Sequence, residues 1–526
     1  MKKKFPKPAK YAVTIFLAIF ILLIAIAAVR LAYIPKLKPW HTFVPNEMTA
    51  AELSKATWKD YITREDKIFD DIHREVTLKT PESEKTSLNR YFEGSLVYPP
   101  HLKDDWNRSH LLVPENPKGA VVLIHGLTDS PYSVRQIALL YYQRGFATLV
   151  LRTPGHGTVP AGLAKVAWQD WVAATRLAVR EARKLSPAGT PLHMVGFSQG
   201  GALTVKYALD ALEDGSLPRP DQVILISPMI GITRLSRLAE ILAIPSFLPG
   251  FHKAAWLGVI PEFNPFKYNS FPVNAVKQAR LLIAEMRGQL AGLSASGKIN
   301  ALPPITTFQS IVDYTVSTPA LINNLYSYLP NNGSELVLFD INRNTPFTPL
   351  VRPFFVNMAS RILPDLPQRY TITIIGNARA GDSSAVERTA LPGETDFMVR
   401  PLGLTYPPNA FSLSHVSLGF PPDDPLYGSA PDPRTKDDFG LNLGLVSTAQ
   451  GERGVLAIST NSFFRISSNP LFPYLAKRMD GIISGSPAPR TTFDGHVNTK
   501  TKITEEEYNA ILKKSDSDYS EGLFWE

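Results

Sequence analysis

The sequence predicts an α/β fold: a mostly parallel sheet flanked by helices, with an inserted cap and an apolar N-terminal span. Three observations carry this. Short apolar, β-branched runs alternate with helical spacing from residue 119 to 228. The alternation resumes over 304–341, after a break rich in proline and aromatics. The composition is that of a packed chain, with 44% hydrophobic and 19% charged residues among 526. Disorder requires fewer apolar residues and more net charge. A mean hydropathy of −0.05 excludes a polytopic membrane protein.

The elements follow in order. GAVVLIH (119–125) is apolar on both faces, as a buried strand must be. Residues 130–146 have helical spacing, and ATLVLR (147–152) is a second strand. Residues 163–185 place Ala, Trp, Val and Leu three or four apart, which gives an amphipathic helix. PLHMVGF (191–197) is a third strand and runs into a helix over 198–212. QVILISP (222–228) is a fourth strand. Such alternation builds right-handed crossovers and a parallel sheet.

Residues 229–300 interrupt the pattern with Pro245, Pro249, Pro261 and Pro265, several aromatics and a late helix near 274–292. Strands then follow at 304–310 and 335–341, with helical sequence at 317–329 between them. Residues 343–410 are Pro-rich with one strand-like run at 370–376, and a last helix is expected near 469–481. The expected organisation is an anchor (1–35), a juxtamembrane region with two short helices (36–115) and a first core part (116–228). A cap (229–300), a second core part (301–342), an insertion (343–410), a C-terminal core part (411–483) and a polar tail (484–526) complete it.

Tyr11 to Val29 is apolar except for Thr14, long enough to span a bilayer and longer than the apolar region of a cleaved signal peptide. Small residues at Ala25, Ala27 and Ala28 leave cleavage open. Lys2, Lys3, Lys4, Lys7 and Lys10 precede the span, whereas Arg30, Lys36 and Lys38 follow it. That excess predicts a cytoplasmic N-terminus and an exported bulk, periplasmic or otherwise extracytoplasmic in a bacterium. The net charge is +8, of which the first ten residues supply +5. The remaining +3 is near neutral, so no nucleic-acid partner is expected. The chain has no cysteine, which excludes disulfides, a thiolate nucleophile and thiolate metal sites.

Gly196-Phe197-Ser198-Gln199-Gly200 matches G-x-S-x-G where a strand passes into a helix. That context turns a common pattern into a candidate nucleophile elbow, because a sharp strand-to-helix turn lifts the serine hydroxyl out of the sheet. Gly196 and Gly200 leave room for the close backbone approach it needs. A helix-capping serine is the plainer use of the same residue. A serine hydroxyl also needs a base, and the base an orienting carboxylate.

Around Ser198 the sequence resembles the α/β-hydrolase superfamily, in its monoacylglycerol-lipase, lysophospholipase and carboxylesterase-like branch. The likeness rests on LIHGLTDSP (123–131), RTPGHG (152–157), W-x-x-W at Trp168 and Trp171, GFSQGG (196–201) and a strand followed by Asp near 304–313. It is strong over 118–228, fair over 300–342 and weak over 343–480. The resemblance implies the chain order Ser, acid, His. Of ten histidines only His415 and His496 follow the candidate acids, and His415 lies in the more ordered context FSLSHVSLGF. The implied acid is Asp313, with Asp340 as the alternative. The implied oxyanion hole is the backbone N–H of Leu127 and of Gln199, which makes His125 a loop-shaping residue. About 70 residues between strand 335–341 and His415 depart from the family pattern and are expected to add a lid or wall.

No metal spacing or phosphate-binding glycine pattern occurs, so no cofactor and no metal are expected. The expected reaction is hydrolysis of a carboxylic ester through an acyl-enzyme on Ser198. An apolar cap (Phe247, Leu248, Phe251, Trp256, Phe263, Phe266) beside a membrane anchor suggests a lipid-like substrate. Acyl transfer, thioester or amide hydrolysis with the same residues, or an inactive tethered binding protein, are the alternatives.

Overall fold

The computed structural model describes residues 11, 14, 32–102, 104–231, 252–432, 439, 441–445, 450–457 and 465–485. The apolar run Tyr11–Val29 therefore lies outside the described residues except for Tyr11 and Thr14, as do His496 and the cap residues Phe247, Leu248 and Phe251. Among the described residues no helix is long and apolar enough to cross a membrane.

β1 (His110–Leu112), β2 (Gly119–Ile124), β3 (Phe146–Leu151), β4 (Leu192–Phe197) and β5 (Gln222–Ile226) form one half of the main sheet. β6 (Trp256–Gly258) and β7 (Phe271–Pro272) pair as a separate antiparallel ribbon. β8 (Ile305–Ser310), β9 (Glu335–Phe339), β10 (Thr371–Asn377), β11 (Ser384–Ala390) and β12 (Met398–Thr405) complete the sheet. Its ten strands run in the order β1-β3-β2-β4-β5-β8-β9-β10-β11-β12. The strands from β3 through β10 in this order pair parallel; β1 at one edge, and β11 and β12 at the other, pair antiparallel.

The order fixes where a site can lie. The chain crosses from β2 to β3 on one side, then returns to place β4 on the other side of β2. Loops leaving β2 and β4 therefore diverge at their carboxyl ends, and the cleft between them is the usual ligand position in such sheets.

Packing follows the predicted apolar patterns. Strands β2, β3 and β4 are buried along their whole length. Their side chains divide between two clusters, one holding Val121, Leu123, Val195 and Phe197, the other Val122, Ile124, Leu192 and Met194. Helix boundaries shift where local chemistry intervenes. The helix expected from 130 starts at Arg135, because Pro131–Val134 make a tighter turn first. It ends at Gln143 before Gly145, whose φ of 85° suits glycine. The helix expected from 163 starts at Trp168, after the turn Pro160–Ala164.

Two regions differ from expectation. The juxtamembrane segment is part of the core. Its helix Trp58–Ile72 starts at Thr57, whose hydroxyl accepts from Asp60 N–H while Asp60 accepts from Thr57 N–H, a reciprocal cap worth about 1 kcal/mol. Trp58 and Tyr61 of that helix are buried with Leu149 and Trp171. The 343–410 insertion is likewise no lid. It supplies β10, β11 and β12, which prolong the sheet. β11 and β12 escaped the sequence pattern because their residues are short, polar or proline-interrupted, as in SAVERTA and MVRPLGLT. In the cap, helix Val273–Ala295 lies on helix Gln199–Glu213, with Met286 and Leu290 against Val205 and Leu209. Phe266 stacks on Tyr132 at 4.2 Å, and Trp256 packs with Ile34 and Val259, so both serve packing.

Candidate active site

β4 ends at Phe197 and a helix begins at Gln199, leaving Ser198 alone in the turn. Its backbone is at φ 52°, ψ −114°, a conformation a non-glycine residue adopts only under constraint. The constraint is visible: Ser198 N–H donates to Ile226 O at 2.9 Å, and Ser198 O accepts from Met229 N–H at 2.8 Å and Gly201 N–H at 3.0 Å. The flanking glycines are steric necessities. A Cβ at Gly200 would stand 2.0 Å from Ile124 O, and one at Gly196 would stand 2.4 Å from the Gly200 carbonyl.

The loop after β2 passes directly beside this turn, since a Cβ at Gly126 would lie 3.1 Å from Ser198 Cβ. His125 shapes that loop. Its Nε2 accepts from Thr153 N–H at 3.1 Å, so its Nδ1 carries the proton and donates to Gly126 O at 2.9 Å. A trans peptide is planar, so holding Gly126 O on one side sends the Leu127 N–H out of the other. Burial pushes the His125 pKa down to about 4, which keeps the ring neutral and its two bonds intact. Gln199 N–H is the first of its helix, and such a group has no partner within the helix.

The candidate base and acid arrive from the other half of the sheet. Asp313 lies three residues past β8, and His415 ten residues past β12. The chain from β12 returns over the carboxyl ends of the central strands. Tyr406 OH donates to Asp340 O at 3.0 Å, Asn342 Nδ2 to Ala410 O at 2.8 Å, and Ser310 Oγ to Leu413 O at 2.9 Å. That path accounts for the 70 intervening residues: they build sheet and come back. His415 Nε2 lies 3.0 Å from Ser198 Oγ, and its Nδ1 lies 2.8 Å from Asp313 Oδ2. Asp313 Oδ1 accepts from Thr315 N–H at 2.8 Å and Val316 N–H at 2.9 Å, and Gln309 Nε2 donates to Oδ2 at 3.1 Å. A carboxylate so bonded has one orientation open to it. The alternative acid, Asp340, instead accepts from Arg343 Nη2 at 2.9 Å and Ile341 N–H at 2.9 Å.

The structure thus brings Ser198, Asp313, His415, Leu127 and Gln199 to one place. Sequence reasoning missed Gln309, which steadies the acid, and Glu452, which accepts from His415 N–H at 2.8 Å. It also missed the partners of Arg152. That buried guanidinium donates from Nε to Glu65 at 2.7 Å and from both terminal nitrogens to Glu47, at 2.8 and 3.0 Å. Glu47, Glu65 and Glu452 belong to no motif, and each is an ordinary polar residue until the fold is closed. Among the described residues no group of His, Asp or Glu is arranged to hold a metal ion.

Residues 115–259 match the family model described as "Serine aminopeptidase, S33". A thermostable monoacylglycerol lipase of Bacillus sp. (strain H-257) is 27% identical over 184 residues, or 34% of this chain. The match spans 66% of that relative's length. Among solved structures, one from a study of the metagenome-derived lipolytic enzymes LipS and LipT is 24% identical, with a TM-score of 0.37 over 45% of this chain and 88% of that one. A soluble variant of the monoglyceride lipase from Saccharomyces cerevisiae is 16% identical, with a TM-score of 0.32 over 44% and 81%. The elbow after β4 lies inside the region that matches the family model, and over that region the chain is similar to a monoacylglycerol lipase.

Proposed function

We propose that the chain is a membrane-anchored serine hydrolase that cleaves carboxylic esters with apolar acyl groups. The single observation that carries this is the hydrogen-bonded series Ser198 Oγ, His415 Nε2, His415 Nδ1 and Asp313 Oδ2, at 3.0 and 2.8 Å. Ser198 Oγ attacks the ester carbonyl while His415 Nε2 takes its proton. Asp313 holds the ring in the tautomer that leaves Nε2 free and stabilises the imidazolium. The N–H groups of Leu127 and Gln199 bind the developing oxyanion. His415 returns the proton to the departing alcohol, and water then repeats the sequence on the acyl-enzyme.

An apolar wall supports the substrate class. Leu127, Met229, Ala279, Ile283 and Val316 form one cluster, and three of these adjoin the oxyanion loop, the nucleophile and the acid. The relative named as a monoacylglycerol lipase supports the same class. The apolar run Tyr11–Val29 and the preceding lysines support an anchor with an extracytoplasmic catalytic domain. Carbonate extraction of membranes and protease accessibility test the anchor and its orientation. A fluorophosphonate probe with mass mapping tests the nucleophile: Ser198 is modified in the parent, and Ser198→Ala is silent. Ester substrates graded by acyl length test the class, with longer chains preferred. The family description names a peptidase, so amide hydrolysis is the second reading; matched amide and ester substrates separate the two.

A further inference from the structure

Glu452 and Arg465 lie beyond the base in sequence, and their side chains meet at the base loop. The Glu452 side chain has no solvent exposure, and Arg465 has 20%. Glu452 Oε2 accepts from His415 N–H at 2.8 Å and from Arg465 Nη2 at 3.0 Å. Its Oε1 accepts from Arg453 N–H at 2.8 Å and lies 3.0 Å from Arg465 Nε. The same Nη2 of Arg465 donates to Thr315 Oγ1 at 2.9 Å, and Thr315 N–H donates to Asp313 Oδ1 at 2.8 Å. Together with the direct bond from His415 to Asp313 these contacts close a ring through base and acid.

The stretch 450–452 also grips the base loop elsewhere. Phe411 N–H donates to Gln450 O at 2.8 Å, and Glu452 N–H donates to Ser412 Oγ at 2.8 Å. A backbone N–H needs only a neutral acceptor. A buried carboxylate is costly unless fully paired, so a charged pair spanning two loops does more than satisfy one amide. Its geometry is fixed by the planar, forked guanidinium, which sets one separation between the base loop and the acid turn.

We propose that Glu452 and Arg465 are positioning residues for the reaction: the pair fixes the distance and angle between the His415 loop and the Asp313 turn. This rests on the reading of Ser198, His415 and Asp313 as an acyl-transfer site. The test uses the full chain in detergent, with ester turnover, rate of fluorophosphonate labelling and melting temperature measured for each variant. Glu452→Ala lowers kcat and the labelling rate by about 10²-fold with KM nearly unchanged, since small misplacements of catalytic groups act on kcat. Glu452→Gln, which keeps an acceptor for His415 N–H, recovers part of this, and Arg465→Lys recovers less than the parent fork provides. Thr315→Val is exposed and isosteric, so it folds even where a Glu452 variant does not, and it lowers kcat by about tenfold. A parent that labels at Ser198, with Thr315→Val and Glu452→Gln equal to it in kcat, overturns the positioning role alone. A parent that neither labels nor turns over ester overturns the reading of the site, and this role with it.

Discussion

Ser198 is held by residues that adjoin it in sequence or on neighbouring strands, from Gly196 to Gly201 with Ile226 and Met229. His415 is bonded to Asp313 and Glu452, its loop is tied by Leu413 to Ser310 and by Ser414 to Ser417, and its ring lies 5.5 Å from that of Phe197 at the end of β4. The elbow is a steric object: remove the room left by two glycines and the turn cannot form. The base loop is a hydrogen-bonded object, dependent on long-range closure. The elbow half is therefore rigid by packing, and the base half is accurate only while its polar network is complete.

The sharpest break of this comparison is chemical. Ser198→Ala and His415→Ala are each expected to lower ester turnover by about 10⁴-fold or more, with little change in melting temperature. Equal losses in single and double variants would mark them as one unit despite their different supports. A His415→Ala enzyme that retains substantial turnover would remove the base from the site.

Acid should weaken the two halves unequally. His110, His125 and His193 lie in or just after β1, β2 and β4, and burial pushes each pKa from 6.5 down to about 4. Unfolded, they take up protons near pH 6.5; folded, they resist until about pH 4. Stability is therefore lost as pH falls between these values, by up to about 1.4 kcal/mol per pH unit for each histidine. Urea unfolding at pH 7 and pH 5 measures the slope. Hydrogen exchange at pH 5 should show β1–β4 losing protection before β8–β12, and uniform loss would contradict the assignment.

Smaller effects refine the same contrast. Gly200→Ala forces a methyl group onto Ile124 O and is expected to cost about 3 kcal/mol, read by denaturant unfolding. Tolerance of alanine there would mean the elbow relaxes as easily as the base loop. Asp340→Asn, at a carboxylate bonded to Arg343 while His415 Nδ1 is bonded to Asp313, should leave ester turnover within about twofold of the parent. A loss like that of Asp313→Asn would exchange the roles of the two acids.

The sequence by itself determined the alternation over 119–228, because buried parallel strands must be apolar on both faces and their crossovers amphipathic. It determined the elbow too, since a serine between two glycines where a strand passes into a helix marks a sharp turn. Only the tertiary structure decided that 36–115 is core. Arg152 lies 87 residues from Glu65, and no short-range pattern couples them. Only closure of the sheet could show that 384–405 extends it, because edge strands carry polar and proline residues that blur the period of two. Asp313 and His415 stand 102 residues apart. Their residue types allowed the pairing, but Gln309, Thr315, Glu452 and Arg465 became its supports only when folding brought their polar groups against one another.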